Sequence, residues 1–295
     1  MVIVTQKPFA ALILLLVFLT ACAKPNSEVS IPPSKTITNT GSDTIVNLAL
    51  AWAEQYQKEN PGIQISVTGG GSGTGINALL SGTTDIANAS REMKDEEKAT
   101  AEENGFKPQE LVIARDAIAV IVNPENPISE LSLEMISKIY KCEINNWSEL
   151  GGEDRPIVRL SRESNSGTHV YFLETVVRLG DKEDKSIFCP KTLLLPSSEG
   201  IISEVRDNPN AIGYDGLGYV TDEVKMLALA KDVTKGFVLP SETTANDGSY
   251  PISRNLFMYT RGEPVGEIRD YLDWILSTEG QSIVSQLGFV PIKGE

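Results

Sequence analysis

From Lys35 onward the chain alternates between segments with the apolar pattern of strands and segments with the apolar spacing of helices. The stretch 63–68 alternates apolar and polar residues like a strand, whereas apolar residues recur at helical spacing within 41–58. Regular alternation of strands with helices is typical of α/β proteins whose sheets are largely parallel. A longer apolar run, 111–122, is predicted to be a strand that passes between two domains.

The same patterns predict the remaining elements. Strands are predicted at 35–40, 85–89, 157–160, 211–220 and 255–259, and helices at 76–80, 94–103, 133–140, 168–179, 265–275 and 279–287. The chain has 295 residues, of which 41% are hydrophobic, so it is long enough for one large domain or two medium ones.

Residues 1–22 have the pattern of an export signal. Lys7 supplies a small positive charge, and 9–19 is an apolar run too short to span a bilayer comfortably. The run ends in Thr20, Ala21 and Cys22, which resembles the lipobox of bacterial lipoproteins, in which the cysteine carries the lipid. An uncleaved membrane anchor and an ordinary signal with a chance cysteine are the alternatives.

The mature chain is therefore predicted to be exported and lipid-anchored through Cys22 at the outer face of a bacterial membrane, in the periplasm or at the cell surface. Residues 23–34 contain three prolines and several Ser and Asn residues. They are predicted to form a flexible tether between the lipid and the folded body.

The formal net charge of −14 limits what the chain can bind. It comes from 26 Lys and Arg residues against 40 Asp and Glu residues. Binding nucleic acid by general electrostatics needs a basic surface, so nucleic acid is not expected as a partner. If the protein binds an anion, short-range hydrogen bonds and local dipoles must select it, because the overall field does not attract anions.

Three turns rich in Ser, Thr and Gly could supply such hydrogen bonds. They are 41–44 (GSDT), 69–75 (GGGSGTG) and 162–168 (RESNSGT), and each precedes a predicted helix. A helix amino terminus carries a partial positive charge and free backbone N–H groups, so it can hold an anion. Any one such turn is more often a plain helix cap, but a run of almost pure Gly, Ser and Thr lets the backbone approach a ligand closely.

Two arginines lie beside these turns. Arg162 opens the third turn, and Arg91 follows Ser90 at the end of a predicted strand. An isolated arginine is usually a solvated surface residue, yet its planar fork suits two oxygens of an oxyanion. One or both arginines could neutralise much of the charge of a divalent anion.

Apart from Cys22 the chain has two cysteines, Cys142 and Cys189. Export to an oxidising compartment would allow a disulfide between them, but the sequence leaves open whether their Cα atoms lie close enough. Metal binding is not expected from two cysteines and a single histidine, and no cofactor is predicted.

Catalysis is not predicted. The glycine-rich turn contains no Lys, so it does not match a nucleotide-binding P-loop, and no G-x-S-x-G surrounds Ser72. His169, the single histidine, would need a positioned nucleophile and an orienting acid to act as a general base, whereas a residue in the first turn of a helix needs neither.

Six motifs, in order along the chain, resemble the phosphate-binding lipoproteins of bacterial ABC phosphate importers. They are GSDTIVNLALAWAEQY, GGGSGTGINALLSGTTDIANASRE, ARDAIAVIVNPENP, IYKCEINNW, SRESNSGT and AIGYDGLGYV. The resemblance runs from about Thr36 to Pro291. It implies an α/β, two-lobed periplasmic-binding-protein type II fold, with mixed, mostly parallel sheets flanked by helices and a ligand cleft between the lobes.

We predict that lobe I contains 35–113 and about 225–295, and that lobe II contains about 114–224. The chain would cross between the lobes near 114–122 and again near 224–230. Phosphate should favour the closed arrangement of the lobes, because only there do donors from both lobes reach it.

By motif, the resemblance implies phosphate-binding residues in both lobes. They are Ser42, Asp43, Thr44, Ser72, Gly73, Thr74, Ser90 and Arg91 in lobe I, and Arg162, Ser166, Gly167 and Thr168 in lobe II. The implied partners are inorganic phosphate and the permease subunits of an ABC transporter. The protein is expected to be a monomer that contacts the membrane through its lipid anchor only.

The chain departs from the resemblance at the residue that accepts the proton of phosphate. Some family members have Asp at the position of Ser90 and another acidic residue at the position of Ser164. Asp43 is the nearest candidate substitute and Glu163 the second, although Asp43 could equally serve only as a helix cap. Because such an acceptor rejects fully ionised sulfate, the preference for phosphate over sulfate is left open.

The alternative functions keep the same fold. Sulfate, molybdate and tungstate are also tetrahedral, and related two-lobed proteins carry them. A phosphate-sensing surface protein is the remaining alternative.

Overall fold

The strands lie close to the predicted positions, and four further short strands are present within residues 35–292. The structure, a computed structural model, describes residue 2 and residues 35–292. Within 35–292 the strands are β1 (Lys35–Gly41), β2 (Ile63–Thr68), β3 (Ile86–Ala89), β4 (Gln109–Val122), β5 (Glu130–Ser132), β6 (Val158–Arg162), β7 (Leu193–Leu195), β8 (Ala211–Gly216), β9 (Lys225–Met226), β10 (Ala228–Ala230) and β11 (Ser253–Thr260). Except for residue 2, the predicted signal peptide with Cys22 and the predicted tether lie outside the described residues.

Within residues 35–292, seven α-helices lie between strands and two follow the last strand. They are α1 (Asp43–Glu59), α2 (Ser72–Ser81), α3 (Asp95–Glu103), α4 (Leu133–Tyr140), α5 (Gly167–Phe172), α6 (Ser198–Asp207), α7 (Glu242–Asn246), α8 (Gly266–Leu276) and α9 (Thr278–Gln286). The predicted helix 168–179 is α-helical only as α5, after which Leu173–Val177 forms a π-helix. No helix within the described residues is long and apolar enough to cross a membrane.

The main sheet is mixed, with the strand order β2-β1-β3-β11-β4-β8-β6-β7 and β9 paired to β4. β1 is parallel to β2 and β3, and β6 is parallel to β7 and β8. β11 and β4 run antiparallel to each other and to their outer neighbours, β3 and β8. The chain is therefore an α/β protein with a mixed sheet flanked by helices, as expected from the sequence.

β4 joins two parts of this sheet. Its residues up to Ala117 pair with β11, and Ile118 to Val122 pair with β8. We call β2, β1, β3 and β11 the first part of the sheet, and β8, β6 and β7 the second part. The predicted strand at 111–122 is confirmed as part of β4, and its change of partner falls just after Arg115 and Asp116, the two charged residues of this stretch.

After Val224 the chain stays with the second part of the sheet. β9 pairs with β4 at Val122, and β10 pairs with β5. Leu227 and Leu229 are fully buried in an apolar cluster that also contains Val120. The chain returns to the first part at β11, where Ser253 lies opposite Ala117. The lobe limits remain a prediction, and this pairing favours a return at β11 instead of near 224–230.

The apolar face of α1 fixes the position of its amino terminus. Ile45, Leu48 and Trp52 are fully buried, and burial of one such side chain contributes about 1.5–3 kcal/mol. The Nε1 of Trp52 donates a hydrogen bond to the carbonyl of Gly280 at 2.8 Å, which links α1 to α9. The turn at 41–44 is therefore held on a well-packed helix.

Cys142 and Cys189 form a disulfide, with their Cα atoms 5.8 Å apart. The bridge joins the residues after α4 to a loop whose Phe188 ring packs 5.6 Å from the ring of Tyr140. The structure thus resolves the pairing that the sequence left open.

We predict that replacing both Cys142 and Cys189 with serine lowers the free energy of unfolding by about 2–4 kcal/mol. The reason is that the bridge joins residues 47 positions apart and so restricts the unfolded chain. Urea unfolding of the parent and the double variant, each with and without reducing agent, measures the effect. Reducing agent should not change the unfolding midpoint of the double variant. If it also leaves the unfolding midpoint of the parent unchanged, that result contradicts the disulfide.

Candidate anion-binding site

Strand ends place the three predicted turns at the site. β1 ends before α1, β2 ends before α2, and β6 ends before α5. Because β1 and β2 are parallel neighbours, their carboxyl ends lie at one edge of the sheet. α2 begins at Ser72, inside the glycine-rich turn, directly after Gly71 with a φ of 94°. That conformation favours glycine and permits the tight entry into the helix.

Five hydroxyl side chains of the predicted site are buried together, and we call them the hydroxyl cluster: Ser42, Thr44, Ser72, Ser90 and Thr168. The Oγ of Ser90 lies 2.9 Å from the Oγ of Ser42 and 3.2 Å from that of Ser72. The Oγ1 atoms of Thr44 and Thr168 are 2.8 Å apart. These hydroxyl groups follow the ends of β1, β2, β3 and β6 in the chain. The ends of four strands therefore bring them together in one small volume.

Gly167 brings α5 directly against the hydroxyl cluster. A Cβ atom at this position would lie 2.4 Å from Ser72 Oγ and 2.6 Å from Ser90 Oγ, closer than real Cβ atoms come. Ser166 Oγ accepts a hydrogen bond from the backbone N–H of Thr168 at 3.2 Å and so caps α5. Close approach is the reason that glycine is needed at position 167.

Arg162 is buried and connects the two parts of the sheet. Its Nη2 donates to Asp43 Oδ2 at 2.8 Å, and its Nη1 donates to Ser198 Oγ at 2.7 Å. Buried Asp215 lies 3.6 Å from the same Nη1. The other oxygen of Asp43 accepts the backbone N–H of Gly70 at 2.9 Å. The Asp43 carboxylate therefore makes no cap on α1, contrary to the alternative weighed from the sequence.

The backbone and side chain of Asn165 clamp the glycine-rich turn. Its carbonyl accepts the N–H of Gly73 at 3.0 Å, and its Nδ2 donates to the carbonyl of Gly70 at 2.8 Å. Sequence reasoning did not single out Asn165, because its contact partner lies about ninety residues away.

Two residues of the predicted site use their side chains elsewhere. Arg91 makes two hydrogen bonds to the carboxylate of Glu97 on α3, at 2.8 and 2.7 Å, so its guanidinium holds that helix. A bidentate carboxylate satisfies the planar fork of a guanidinium, so both Nη atoms of Arg91 already have an anionic partner. Thr74 Oγ1 donates to the carbonyl of Gly70 at 2.6 Å, within its own turn.

Arg254, near the start of β11, is a second buried arginine at the site, and the sequence patterns did not identify it. Its Nη1 donates to the carbonyl of Ser90 at 2.8 Å, and its Nη2 donates to Thr168 Oγ1 at 2.9 Å. Its counter-ion is Asp116 on β4, directly opposite in the strand pairing and 2.9 Å away. The sequence signal that could have identified Arg254 was its position as a charged residue directly before the predicted apolar strand 255–259.

Burial shapes the ionisation of the carboxylates behind the site. It raises the pKa of Asp116 to about 6; Arg254 lowers this pKa, and neighbouring Asp215 raises it. Burial also raises the pKa of Asp215. A Cβ atom on Gly216 would lie 2.8 Å from Asp116 Oδ2, so glycine leaves room for the carboxylate. When Asp116 takes up a proton, the charge of Arg254 is less neutralised, which favours a nearby anion.

We predict that Asp116→Asn alters the pH dependence of stability. The pKa of Asp116 in the folded protein, about 6, lies above its usual value of 3.8. The folded state therefore binds more protons between these values, and the stability contributed by this group falls as the pH rises from about 4 to about 6. Urea unfolding across this range should show the parent losing up to about 3 kcal/mol relative to the variant. A constant difference between the two proteins would contradict the raised pKa.

A cavity of about 710 Å³ opens beside the hydroxyl cluster. None of the five cluster residues lines it, whereas Arg254 belongs to its wall and also contacts the cluster. The hydroxyl groups of the three turns converge at the cluster and not at the cavity.

His169 does not form a catalytic set with its neighbours. Its Nδ1 lies 2.8 Å from the carbonyl of Arg162 and 3.1 Å from Ser161 Oγ. Ser161 is fully buried, and its hydroxyl lies 2.6 Å from that of Tyr214. Burial lowers the pKa of His169. Within the described residues, no group of three or more His, Cys, Asp and Glu could hold a metal ion.

Comparison of the sequence with known proteins finds close relatives over most of the chain. A family model described as a PBP superfamily domain matches residues 26–279. The phosphate-binding protein PstS of Pseudomonas aeruginosa strain PAO1 is 34% identical, over 92% of this chain and 87% of that protein. The phosphate-binding protein PstS of Bacillus subtilis strain 168 is 32% identical, over 88% of this chain and 81% of that protein.

Solved structures show the same relationship. One from Clostridium perfringens, described as a phosphate ABC transporter substrate-binding protein with bound phosphate, is 33% identical with a TM-score of 0.79. It matches 88% of this chain and 100% of its own length. An ABC-type phosphate transport receptor from Vibrio cholerae is 26% identical with a TM-score of 0.69, again over 88% and 100%. The chain therefore belongs to the PBP superfamily and, within it, to the family of PstS phosphate-binding proteins.

Proposed function

We propose that this protein captures inorganic phosphate outside the cytoplasm and delivers it to the permease of an ABC importer. The observation that carries the proposal is the hydroxyl cluster, in which side chains from three turns meet beside two buried arginines. The names of the related PstS proteins support phosphate as the ligand.

The anion would be held mainly by neutral donors. Hydroxyl groups of the cluster and the amino termini of α1 and α2 supply hydrogen bonds and partial positive charge. Arg162 and Arg254 add formal charge, but each is paired with a carboxylate. Such a site works inside a protein of net charge −14, because it depends on short-range contacts.

Phosphate would stabilise a closed arrangement of two lobes. The bonds between Thr44 and Thr168 and between Asp43 and Arg162 join α1, which follows β1 of the first part of the sheet, to β6 of the second part and to α5, which follows it. A ligand that contacts both sides binds this arrangement better than an open one and shifts the population toward it. We propose β4 and the start of β11 as the crossing segments.

The proposal extends to location and partners. The mature chain would be a monomer, anchored through a lipid on Cys22 at the outer face of a bacterial membrane. It would contact the membrane through this lipid, would dock on the permease subunits in its phosphate-bound form, and would bind its ligand without catalysing a reaction.

Selectivity against sulfate would need a group that accepts the proton of phosphate. Ser164 and Glu163 are exposed. Asp43 lies in the chain between Ser42 and Thr44, and its carboxylate is paired with Arg162, so we propose Asp43 as the acceptor. Binding of sulfate, molybdate or tungstate, or a role in phosphate sensing, are the alternatives.

Isothermal titration calorimetry with phosphate, sulfate, molybdate and tungstate at pH 7 tests the proposal. We expect saturable binding of one phosphate per chain, with sulfate at least about tenfold weaker, a difference of about 1.4 kcal/mol. Saturable binding of another oxyanion in the absence of any response to phosphate would refute the assignment.

Arg162→Ala and Arg91→Ala form a matched pair of variants. We predict that Arg162→Ala weakens phosphate binding by about 2–5 kcal/mol, because it removes a charge-assisted partner of a buried anion. Arg91→Ala should change the affinity by about twofold or less, since Arg91 is paired with Glu97. Calorimetry on variants whose circular dichroism matches the parent gives both values. An affinity of Arg162→Ala unchanged from that of the parent would remove Arg162 from the site.

A further inference from the structure

Asn165 joins two turns that belong to different parts of the sheet. Its Nδ2 donates to the carbonyl of Gly70 at 2.8 Å, and its carbonyl accepts the backbone N–H of Gly73 at 3.0 Å. Asn165 follows β6 of the second part, whereas both glycines lie in the glycine-rich turn, which follows β2 of the first part. Both bonds therefore connect the two parts directly.

Glycine residues make this close contact possible. A Cβ atom on Gly71 would lie 2.8 Å from the carbonyl oxygen of Asn165, closer than real Cβ atoms come, and one on Gly73 would lie 3.3 Å from it. The N–H of Gly73, a residue that the resemblance assigns to phosphate, donates to Asn165. Part of the glycine-rich turn is therefore shaped to fit Asn165.

The side chain of Asn165 makes its bond outside the hydroxyl cluster. Asn165 is exposed, whereas the five cluster residues are buried. Phosphate bound at the cluster would replace the bond between the hydroxyl groups of Thr44 and Thr168, because those groups would then donate to the anion. The bond between Asn165 and Gly70 uses neither hydroxyl group, so bound phosphate does not need to break it.

We propose that Asn165 is a positioning residue whose side chain holds the two parts of the sheet in the closed arrangement and so slows the release of phosphate. Opening the two parts separates the Nδ2 of Asn165 from the carbonyl of Gly70, whereas closing them restores the bond. A bond that exists only in the closed arrangement shifts the population toward it without contacting the ligand. The inference rests on the proposed phosphate binding and closure, and it adds a residue that controls release.

The rate of phosphate release from Asn165→Leu tests this inference. Leucine has a similar size but no hydrogen-bond donor, and loss of one such bond should weaken closure about threefold to tenfold. Calorimetry of the full chain gives the dissociation constant, and rapid filtration of bound radiolabelled phosphate chased with unlabelled phosphate gives the dissociation rate. Both values should rise by this factor. The association rate, which is their ratio, should stay within about twofold of the parent, because the open form keeps its phosphate donors.

Asn104→Leu is the matched control. Asn104 also donates its Nδ2 to a backbone carbonyl, that of Leu80, in an exposed bond of 3.2 Å. This bond joins the end of α3 to α2, and both helices follow strands of the first part of the sheet. Asn104→Leu should therefore keep the dissociation constant and the dissociation rate within about twofold of the parent, because it removes no bond between the two parts.

Each outcome separates the inference from the proposed function. An Asn165→Leu variant with the dissociation constant and rate of the parent overturns the inference, as does a loss of affinity that lies in the association rate. Equal changes in Asn165→Leu and Asn104→Leu also overturn it. If the circular dichroism of Asn165→Leu differs from that of the parent, Asn165→Ala replaces it in the same comparison. A parent that does not bind phosphate refutes the proposed function, and the inference falls with it.

Discussion

A buried ion pair links β4, which joins the two parts of the sheet, to its antiparallel neighbour β11. Asp116 of β4 and Arg254 of β11 are opposite each other in the pairing and 2.9 Å apart. Neither charge could be buried alone, because an unpaired buried charge costs several kcal/mol. The guanidinium of Arg254 also donates hydrogen bonds to Ser90 and Thr168, so β4, β11 and the hydroxyl cluster form one hydrogen-bonded network.

The balance of charge in this network decides what the site can accept. Two arginines face three carboxylates, those of Asp43, Asp116 and Asp215. Burial raises the pKa values of Asp116 and Asp215, which makes these two groups harder to ionise. Arg162 and Arg254 are each paired with a carboxylate, so neither supplies an unpaired positive charge. A compact anion surrounded by hydroxyl donors fits this environment, whereas a site dependent on long-range attraction would not suit so acidic a protein.

Local patterns predicted the elements and the hydroxyl groups, because periodicity and turn chemistry act within a few residues. β1, α1 and β2 lie within about a residue of their predicted limits. Arg254 escaped prediction because its role depends on Asp116, which is 138 residues away in sequence. Arg91 was expected at the site, but Glu97 in the first turn of α3 takes its guanidinium. The disulfide and the return of the chain to the first part of the sheet at β11 also depend on contacts between residues far apart in sequence, which local sequence patterns do not contain.

A crystal structure of the protein grown with phosphate tests the central claim most directly. The account predicts one phosphate within hydrogen-bonding distance of Ser72, Ser90 and Thr168, enclosed by both parts of the sheet. It also predicts that the pair of Asp116 and Arg254 persists beside the ligand. Phosphate bound elsewhere, with the hydroxyl groups of the cluster still hydrogen-bonded only to protein groups, would contradict this claim.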